Sequence, residues 1–479
     1  MIIIIICLII STFCYFSLPL DIGYKASLAL AVFMMALELF VMFKRKEQYE
    51  LLKNQYLRIF PILTFSFVCV HFQQFIDIFL GFGNFYYPEY SNEFLVLKGA
   101  FLSLMGLSSL LLGYSYASNK TSTRIVKVNK VEYNHFWMRT IFNYLFLGFV
   151  VLFVILNGRA YLSGNYSQEM MLGMQGSLNA YSIIFMQCCM YAVTIESCKC
   201  ILMRNQICSL GTYVRGFSPI YYICLVTVLF FNLFLGDRGP LITYICIYIY
   251  GYIIVSKRKI NIVTIVAVAF TFAILLSIIS IYRNDENKSF SNFQNYRNEV
   301  AAKESISPFT AELAGSTYPT LLAIESTPDT YPYRYGIFSL NNILSVIPFS
   351  SSILRVLGLN SSILLFSHSS SFITWYGHGG DMTRSGIGSS TVADVYLDFG
   401  PVGVIVILLF LGIIVRILDE RSFTSDLCNI GDFWLIAAFV MFAHAIYFPR
   451  SMVFFFIKDI VWTWIFYKMS CCIFGRFKS

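Results

Sequence analysis

The chain has 479 residues, of which 57% are hydrophobic and only 13% are charged, about half the charged fraction of ordinary soluble proteins. Apolar runs of about 20 residues predict a polytopic all-α membrane protein, because the strands of a β-barrel would be about half as long and would alternate apolar with polar residues. The net charge of +8 does not indicate a nucleic-acid-binding protein, since Lys and Arg lie between the spans rather than on one soluble face.

The first 20 residues have no basic leader and no small-residue cleavage site, so we expect a membrane helix that is retained. Thirteen cysteines occur in the chain. Most lie in apolar runs, and the pairs Cys198 with Cys200 and Cys471 with Cys472 lack the partner ligands of a zinc site. We therefore expect these cysteines to pack as small apolar residues.

The apolar runs predict twelve spans, at about 2–20, 26–43, 59–80, 94–117, 140–157, 179–197, 218–235, 239–255, 262–281, 399–416, 433–448 and 452–470. Their connections alternate in charge, and one set holds most of the Lys and Arg residues. The positive-inside rule places that set, and with it both termini, in the cytoplasm.

A large polar segment interrupts the spans from Arg283 to about Thr391, and it is rich in Tyr, Ser, Gly, Asn, Arg and His. It follows from the span assignment that this segment faces outward, away from the cytoplasm. We therefore divide the chain into spans 1 to 9 (about 1–281), a large outward loop with short helices (about 282–392) and spans 10 to 12 (about 393–479).

The turn Gly236-Asp237-Arg238-Gly239-Pro240 joins two spans at the outer face. Its glycines and proline suit a tight hairpin, and its charged pair could simply mark the membrane interface. The alternative is a binding role, because guanidinium presents a planar fork that suits phosphate and Arg238 stands at the depth of a lipid-linked pyrophosphate. Arg283, after the ninth span, is either an interfacial anchor or the second arm of an anion clamp.

A third cluster runs from His368 through Trp375, Tyr376, His378 and Asp381 to Arg384. Histidine titrates near neutral pH and can act as a general base, and aromatic faces suit sugar rings. A solvated polar loop is the alternative, and the spacing fits no standard zinc site.

Polar residues also fall inside predicted spans: His71, Gln73, Gln74, Asp77, His444, Lys458 and Asp459. A charge at mid-bilayer costs about 2.5–3.5 kcal/mol on insertion scales, so such residues normally face the bundle interior. We expect Asp77 and Lys458 to form a structural ion pair. The alternative is a proton or ion pathway, as in a transporter.

The Arg238 turn, the single large outward loop with Arg and His, and the stretch from Gly388 to Gly403 that returns to the membrane resemble the O-antigen polymerases of the Wzy family. The related O-antigen ligases have a His-x10-Gly pattern in their loop, and His368 with Gly379 is similar to it. The resemblance implies a glycosyltransferase of GT-C-type architecture in a bacterial inner membrane. It would polymerise undecaprenyl-pyrophosphate-linked repeat units of O-antigen or capsule on the periplasmic face.

The resemblance implies no cofactor, no metal and no nucleic acid, and it admits a polysaccharide chain-length regulator as a protein partner. Arginines would stabilise the charge that grows on the pyrophosphate, and a loop His or Asp would take the proton of the acceptor hydroxyl. The candidate catalytic residues are His378, His368 and Asp381, and the candidate substrate-binding residues are Arg238, Arg283, Arg384, Asp237, Trp375 and Tyr376.

Three other functions stay open at this point. A lipid-linked oligosaccharide flippase also has many spans, but no internal repeat, which is common in transporters, is visible here. An O-antigen ligase or a cell-wall glycosyltransferase would use the same scaffold with another acceptor. A membrane acyltransferase would need a cytoplasmic thioester site, for which His135 and the cysteines from Cys198 to Cys208 are too sparse.

Overall fold

The computed structural model describes residues 1–19, 22–44, 56–82, 88–120, 135–163, 177–204, 208–235, 238–256, 305, 307, 310–347, 350, 368–382, 386–424 and 432–474. Within these ranges every regular element is helical. In chain order the α-helices are α1 (Ile2–Phe16), α2 (Tyr24–Lys44), α3 (Ile59–Leu80), α4 (Glu93–Lys120), α5 (His135–Ser163), α6 (Ser177–Arg204), α7 (Leu210–Arg215), α8 (Pro219–Leu235), α9 (Arg238–Ser256), α10 (Ala311–Ala314), α11 (Thr317–Ser326), α12 (Ile337–Leu344), α13 (Ser369–Gly377), α14 (Thr391–Thr424), α15 (Asp432–His444) and α16 (Ile457–Phe474).

Seven of these helices, α2 to α6, α9 and α14, are long and apolar enough to cross a membrane, and α1, α8 and α15 are shorter apolar helices. The all-helical, multi-pass membrane class is thereby confirmed. Eleven of the twelve predicted spans coincide with a helix. The ninth, at about 262–281, lies outside the described residues, so the total number of spans stays a prediction.

Helices α4 and α14 approach each other to backbone contact through two glycines. A Cβ on Gly113 would lie 2.0 Å from the carbonyl oxygen of Leu409, and a Cβ on Gly412 would lie 2.1 Å from the carbonyl oxygen of Leu110. Both obstacles are backbone atoms, so neither can move aside without separating the helices. Small residues are common at such crossings, because close packing rather than hydrophobicity holds membrane helices together.

Polar side chains of α3 form hydrogen bonds with the segment just before α10. Ser305 Oγ donates to Asp77 Oδ2 at 2.7 Å, and Thr310 Oγ1 donates to the side-chain oxygen of Gln73 at 2.6 Å. The expected ion pair between Asp77 and Lys458 is wrong, because Lys458 forms no ion pair with a described residue. Among its partners, the Asp77 carboxylate accepts a hydrogen bond from the Ser305 hydroxyl group.

The other end of α3 is held by a carboxylate of α14. The amide N–H groups of Ile59 and Phe60 donate to the two oxygens of Asp419, at 3.0 and 3.2 Å. One turn apart in the same part of α14, Arg416 and Glu420 form a buried ion pair. We call this end of the bundle the basic end, and the end that contacts α10 to α13 the loop end.

Helix α14 begins at Thr391, ahead of the expected start of the tenth span, and it is interrupted at Gly400 (φ 67°, ψ −164°). Only glycine adopts this conformation readily, and Pro401 follows, which has no amide N–H to donate. The ring of Tyr333 lies 3.0 Å from the position of a Cβ on Gly400. A loop residue therefore packs into the break, next to the first part of α14.

We expect Gly412→Ala to destabilise the protein, because the added methyl group collides with the Leu110 carbonyl group and overpacking costs about 1–3 kcal/mol. Thermal unfolding in detergent measures the effect. Gly148→Ala in α5 is the control, since a Cβ there meets nothing within 4 Å and alanine favours helix. Equal unfolding temperatures for the two variants would contradict the close crossing.

Candidate functional site

A buried carboxylate of α14 fixes the start of the loop helix α12. The amide N–H groups of Phe338 and Ser339 donate to the two oxygens of Asp398 at 3.1 and 2.7 Å, and Ser339 Oγ adds a third hydrogen bond at 2.6 Å. Asp398 thus caps a helix from another part of the chain, and satisfies amides that would otherwise lack partners. The first turn of α12 cannot move away from α14 without uncovering this carboxylate.

Arg334 lies just before α12 and is held by its backbone. Its amide N–H donates to the carbonyl oxygen of Leu397 at 2.9 Å. Its half-buried guanidinium group lies 5.2 Å from the ring centre of Phe372 and 5.9 Å from that of Phe338. It forms no hydrogen bond or ion pair with any residue that the structure describes, so its charge is available to a ligand.

Aromatic rings of α13 continue the surface beside Arg334. The ring of Tyr331 contacts those of Phe372, Trp375 and Tyr376, with centroids 5.6 to 6.2 Å apart. We call Arg334, Tyr331, Phe372, Trp375 and Tyr376 the loop cradle. It brings together Trp375 and Tyr376, both predicted from the sequence to bind sugar, and a guanidinium group.

A second carboxylate of α14 binds the start of α13 by a hydrogen bond. Asp394, fully buried, accepts a hydrogen bond from Ser369 Oγ at the start of α13 and another from the amide N–H of Val453 at 2.9 Å. Thr391 donates to the carbonyl oxygen of Phe448 at 2.7 Å. The loop cradle therefore rests on α14 and on the turn between α15 and α16.

The two candidate histidines lie at opposite ends of α13. His368 is its N-cap residue and His378 follows its last turn. Ten residues of helical rise separate their Cα atoms by about 15 Å, so the two imidazoles do not serve one proton transfer. The sequence offered them as alternative bases, and this separation is consistent with alternatives.

His368 has a lowered pKa. Burial is the main cause, because it disfavours the charged imidazolium, and the positive charge of Lys458 acts in the same direction. Its Nδ1 atom is buried and has no hydrogen-bond partner among the described residues. The neutral imidazole is therefore the stable form of His368 near pH 7.

His378 and Asp381 lie in the turn that follows α13. The amide N–H of Asp381 donates to the carbonyl oxygen of His378 at 3.3 Å, and both side chains are half-buried. Gly379 and Gly380 have φ values of 61° and 96°, so the turn depends on glycine at both positions. The two candidates are adjacent, next to the Trp375 end of the loop cradle.

Arg238 begins α9 at the loop end. Helix α8 starts at the basic end, where Ser218 Oγ donates to Asn143 at 2.6 Å, and its 17 residues rise about 25 Å toward the loop end. The side chain of Arg238 is half-buried, and its Nε and Nη2 atoms are shielded from solvent. Asp237, Arg283 and Arg384 lie outside the described residues.

A buried polar cluster lies between α6, α15 and α16. His444 Nε2 and Asp459 Oδ2 are 3.0 Å apart, and the side-chain amide of Gln187 donates to the same oxygen at 3.1 Å. Tyr191 OH lies 3.5 Å from His444 Nε2. His444 and Asp459 were each expected to face the interior, but their pairing was not predicted. No three His, Cys, Asp or Glu side chains group as metal ligands within the described ranges.

Arg334 is a basic residue of the loop that the sequence pattern did not single out. A signal was present, since Tyr331-Pro332-Tyr333-Arg334-Tyr335 interleaves a cation with aromatic residues. Asp394 and Asp398 were noted only as part of the returning stretch. Their donors come from distant segments, which no local pattern reveals.

The family of the chain follows from a comparison with known protein families. The family model described as O-antigen polysaccharide polymerase Wzy matches residues 1–477. The chain belongs to this family. No curated protein and no solved structure matches it.

Membership of the Wzy family confirms the resemblance drawn from the Arg238 turn and the outward loop. It identifies the chain as a multi-pass membrane protein that polymerises O-antigen repeat units. The match covers nearly the whole chain, so the loop cradle and the helix bundle that supports it belong to one polymerase fold.

We expect the wild-type protein to lose stability as the pH falls below 6.5, the ordinary imidazole value, because unfolded His368 then takes a proton that folded His368 resists. Lys458→Met removes one cause of the lowered pKa, so the loss should be smaller. His368→Gln should remove this contribution altogether. Thermal unfolding at pH 7.5 and pH 5 measures it, and identical pH dependence in all three proteins would exclude the assignment.

Proposed function

We propose that this polymerase joins repeat units carried on undecaprenyl pyrophosphate at the periplasmic face of the inner membrane, and that the reaction takes place at the loop end. Family membership supports the polymerase activity. The charge distribution supports a periplasmic location of the loop end, because the opposite, basic end carries the residues that the positive-inside rule assigns to the cytoplasm. The observation that carries the proposal is Arg334 beside the rings of the loop cradle.

A pyrophosphate-linked sugar presents an anion next to an apolar ring face, and the loop cradle offers a partner for each. The guanidinium group of Arg334 is a fixed cation with a planar fork for phosphate oxygens. Trp375 and Tyr376 are half-buried, and their rings pack against Phe372, over which the guanidinium group lies. We assign Arg334 and Arg238 to the donor pyrophosphate.

In the proposed reaction the bond between the donor sugar C1 and the pyrophosphate oxygen breaks, and the electron pair stays with the pyrophosphate. The acceptor hydroxyl oxygen forms the new glycosidic bond, and its proton passes to a base. Charge therefore grows on the leaving group as the bond breaks. A preorganised guanidinium stabilises that charge without first reorienting. Two sets of hydrogen bonds supply the preorganisation: the Arg334 amide donates to the Leu397 carbonyl oxygen, and Asp398 accepts from the first turn of α12. Arg283 and Arg384 stay proposed as further phosphate contacts.

We assign the proton transfer to His378, with Asp381 three residues further on, because both half-buried residues lie in the turn that follows Trp375 and Tyr376 in the chain. His368 has its Nδ1 atom buried against α13 and the α16 end. Its proposed role is to position α13 rather than to touch the substrate. Asp237 stays a proposed neighbour of Arg238.

One observation favours a second function. The buried His444–Asp459 pair with Gln187 has the composition of a proton relay in a transporter. A flippase needs two membrane-separated compartments, whereas a polymerase does not. Extension of a purified lipid-pyrophosphate-linked repeat unit by the detergent-solubilised protein, with no gradient, would support the polymerase. Absence of any extended product from folded protein would overturn the proposal.

Arg334→Gln should lower the rate of chain extension about 10²–10³-fold, as expected for loss of one preorganised donor at a developing charge, while the one-unit product accumulates. Arg334→Lys should recover little, because ammonium lacks the fork. We expect Arg238→Ala to have the same phenotype. Arg421→Gln, at the basic end and stacked on Trp434, is the control. A normal polymer ladder from Arg334→Gln would remove this residue from the site.

The two ends of the bundle should label from opposite sides of the membrane. Tyr335→Cys places a thiol at a loop residue that is 80% exposed, and Leu210→Cys places one at a basic-end residue that is 58% exposed. A maleimide that cannot cross the inner membrane should reach Cys at 335 in spheroplasts, but Cys at 210 only in inverted vesicles. Cys471→Ser and Cys472→Ser remove background labelling. The reverse pattern would contradict the proposed face.

A further inference from the structure

A cavity of about 250 Å³ lies at the basic end, between α5, α6 and α7. Three of its lining side chains are guanidinium groups, those of Arg139, Arg204 and Arg215, and none is a carboxylate. Thr212 adds a hydroxyl group to the wall. Three convergent cations and a hydroxyl group are the donors that recognise a phosphate group.

The arginines are arranged by neighbouring residues rather than by counter-ions. Arg139 Nη1 donates to the carbonyl oxygen of Gly216 at 2.9 Å. The guanidinium groups of Arg139 and Arg204 lie 5.2 and 5.9 Å from the ring centre of Phe136. Arg204 and Arg215 are exposed and form neither a hydrogen bond nor an ion pair with the described residues. The charges of Arg204 and Arg215 are therefore available to a ligand.

The acidic residue nearest in the chain is already neutralised. Glu196, fully buried one helical turn before Cys200 of the cavity wall, pairs with His135 at 2.8 Å and with Lys199 at 3.3 Å. Tyr467 OH also donates to its carboxylate. Glu196 thus has its own cations and does not compensate the arginines of the cavity.

Apolar side chains are exposed on the segments that form the cavity. Their exposed fractions run from 41% to 60%, for Phe136, Trp137, Met203, Leu210 and Val214. A cavity for a soluble anion would open into a polar surface. Here the cations lie where the apolar ends of α5 and α6 pass into the basic end, which is the depth of a lipid headgroup.

We propose that this cavity binds the phosphate of an anionic phospholipid in the leaflet at the basic end, with the acyl chains against the exposed apolar side chains. The three guanidinium groups and Thr212 contact the phosphate oxygens. The bound lipid joins α7, through Arg215, to the ends of α5 and α6. This site lies at the opposite end of the bundle from the loop cradle, so its occupancy does not depend on the proposed reaction.

The test measures binding without activity. Dioctanoyl phosphatidylglycerol is titrated into the full-length protein in zwitterionic detergent, and the shift in unfolding temperature gives the affinity. We expect Arg204→Gln with Arg215→Gln to weaken binding about tenfold or more, since each interfacial arginine contributes substantially to anionic lipid binding. Dioctanoyl phosphatidylcholine should give a smaller shift, because its choline cation cancels the negative charge of the same phosphate group. High salt should weaken the binding of phosphatidylglycerol, because it screens exposed charges.

Arg421→Gln is the matched control, because it removes an exposed basic-end arginine outside the cavity. The single variants Arg204→Gln and Arg215→Gln, each expected to weaken binding by a smaller factor, are used if the pair does not fold. An equal shift in wild type and in the cavity variants would overturn the proposal. So would an equal shift from inorganic phosphate alone, which would assign the cavity to a soluble anion.

Discussion

The architecture depends on three buried carboxylates of one helix. Asp394, Asp398 and Asp419 of α14 are fully buried, and a buried charge costs much free energy unless it is hydrogen-bonded. Each accepts hydrogen bonds from backbone amides of another segment: Val453, then Phe338 and Ser339, then Ile59 and Phe60. Helix α14 therefore binds three separate segments: the loop and the α15–α16 turn at the loop end, and the start of α3 at the basic end.

This constraint explains why a site in a loop can be rigid. The first residues of α12 and α13 each donate hydrogen bonds to a buried carboxylate of α14. Moving either helix away would leave that carboxylate buried without these donors, which costs free energy. Arg334 lies between those two anchors, and its own amide adds a third contact to Leu397. Its guanidinium group is thus held over Phe372 before any ligand arrives, which lowers the reorganisation needed during the reaction.

Hydropathy predicted the helices well, because the thickness of the membrane fixes the length of an apolar run. It could not predict what the polar residues bind. Ser339 and Asp398 are 59 residues apart in the chain, and Asp77 and Ser305 are 228 apart. The Asp77–Lys458 prediction failed because it assumed that a buried carboxylate needs a cation, whereas hydroxyl and amide donors satisfy it equally well. The sequence offered His368 and His378 as alternative bases in a loop expected to contain short helices, but it did not place a helix between them. Helix α13 separates their Cα atoms by about 15 Å, a distance that the residue types alone do not reveal.

Arginine occurs at both ends of the bundle, and its surroundings distinguish the two uses that we propose. At the loop end, Arg334 lies over the buried ring of Phe372, which packs against the half-buried rings of Trp375 and Tyr376. Such rings match the apolar face of a sugar next to a phosphate. At the basic end, Arg204 and Arg215 are exposed on segments that also expose apolar side chains. The same guanidinium chemistry therefore selects different phosphates, because the neighbouring apolar surface decides what must accompany the anion: a glycan at one end and acyl chains at the other.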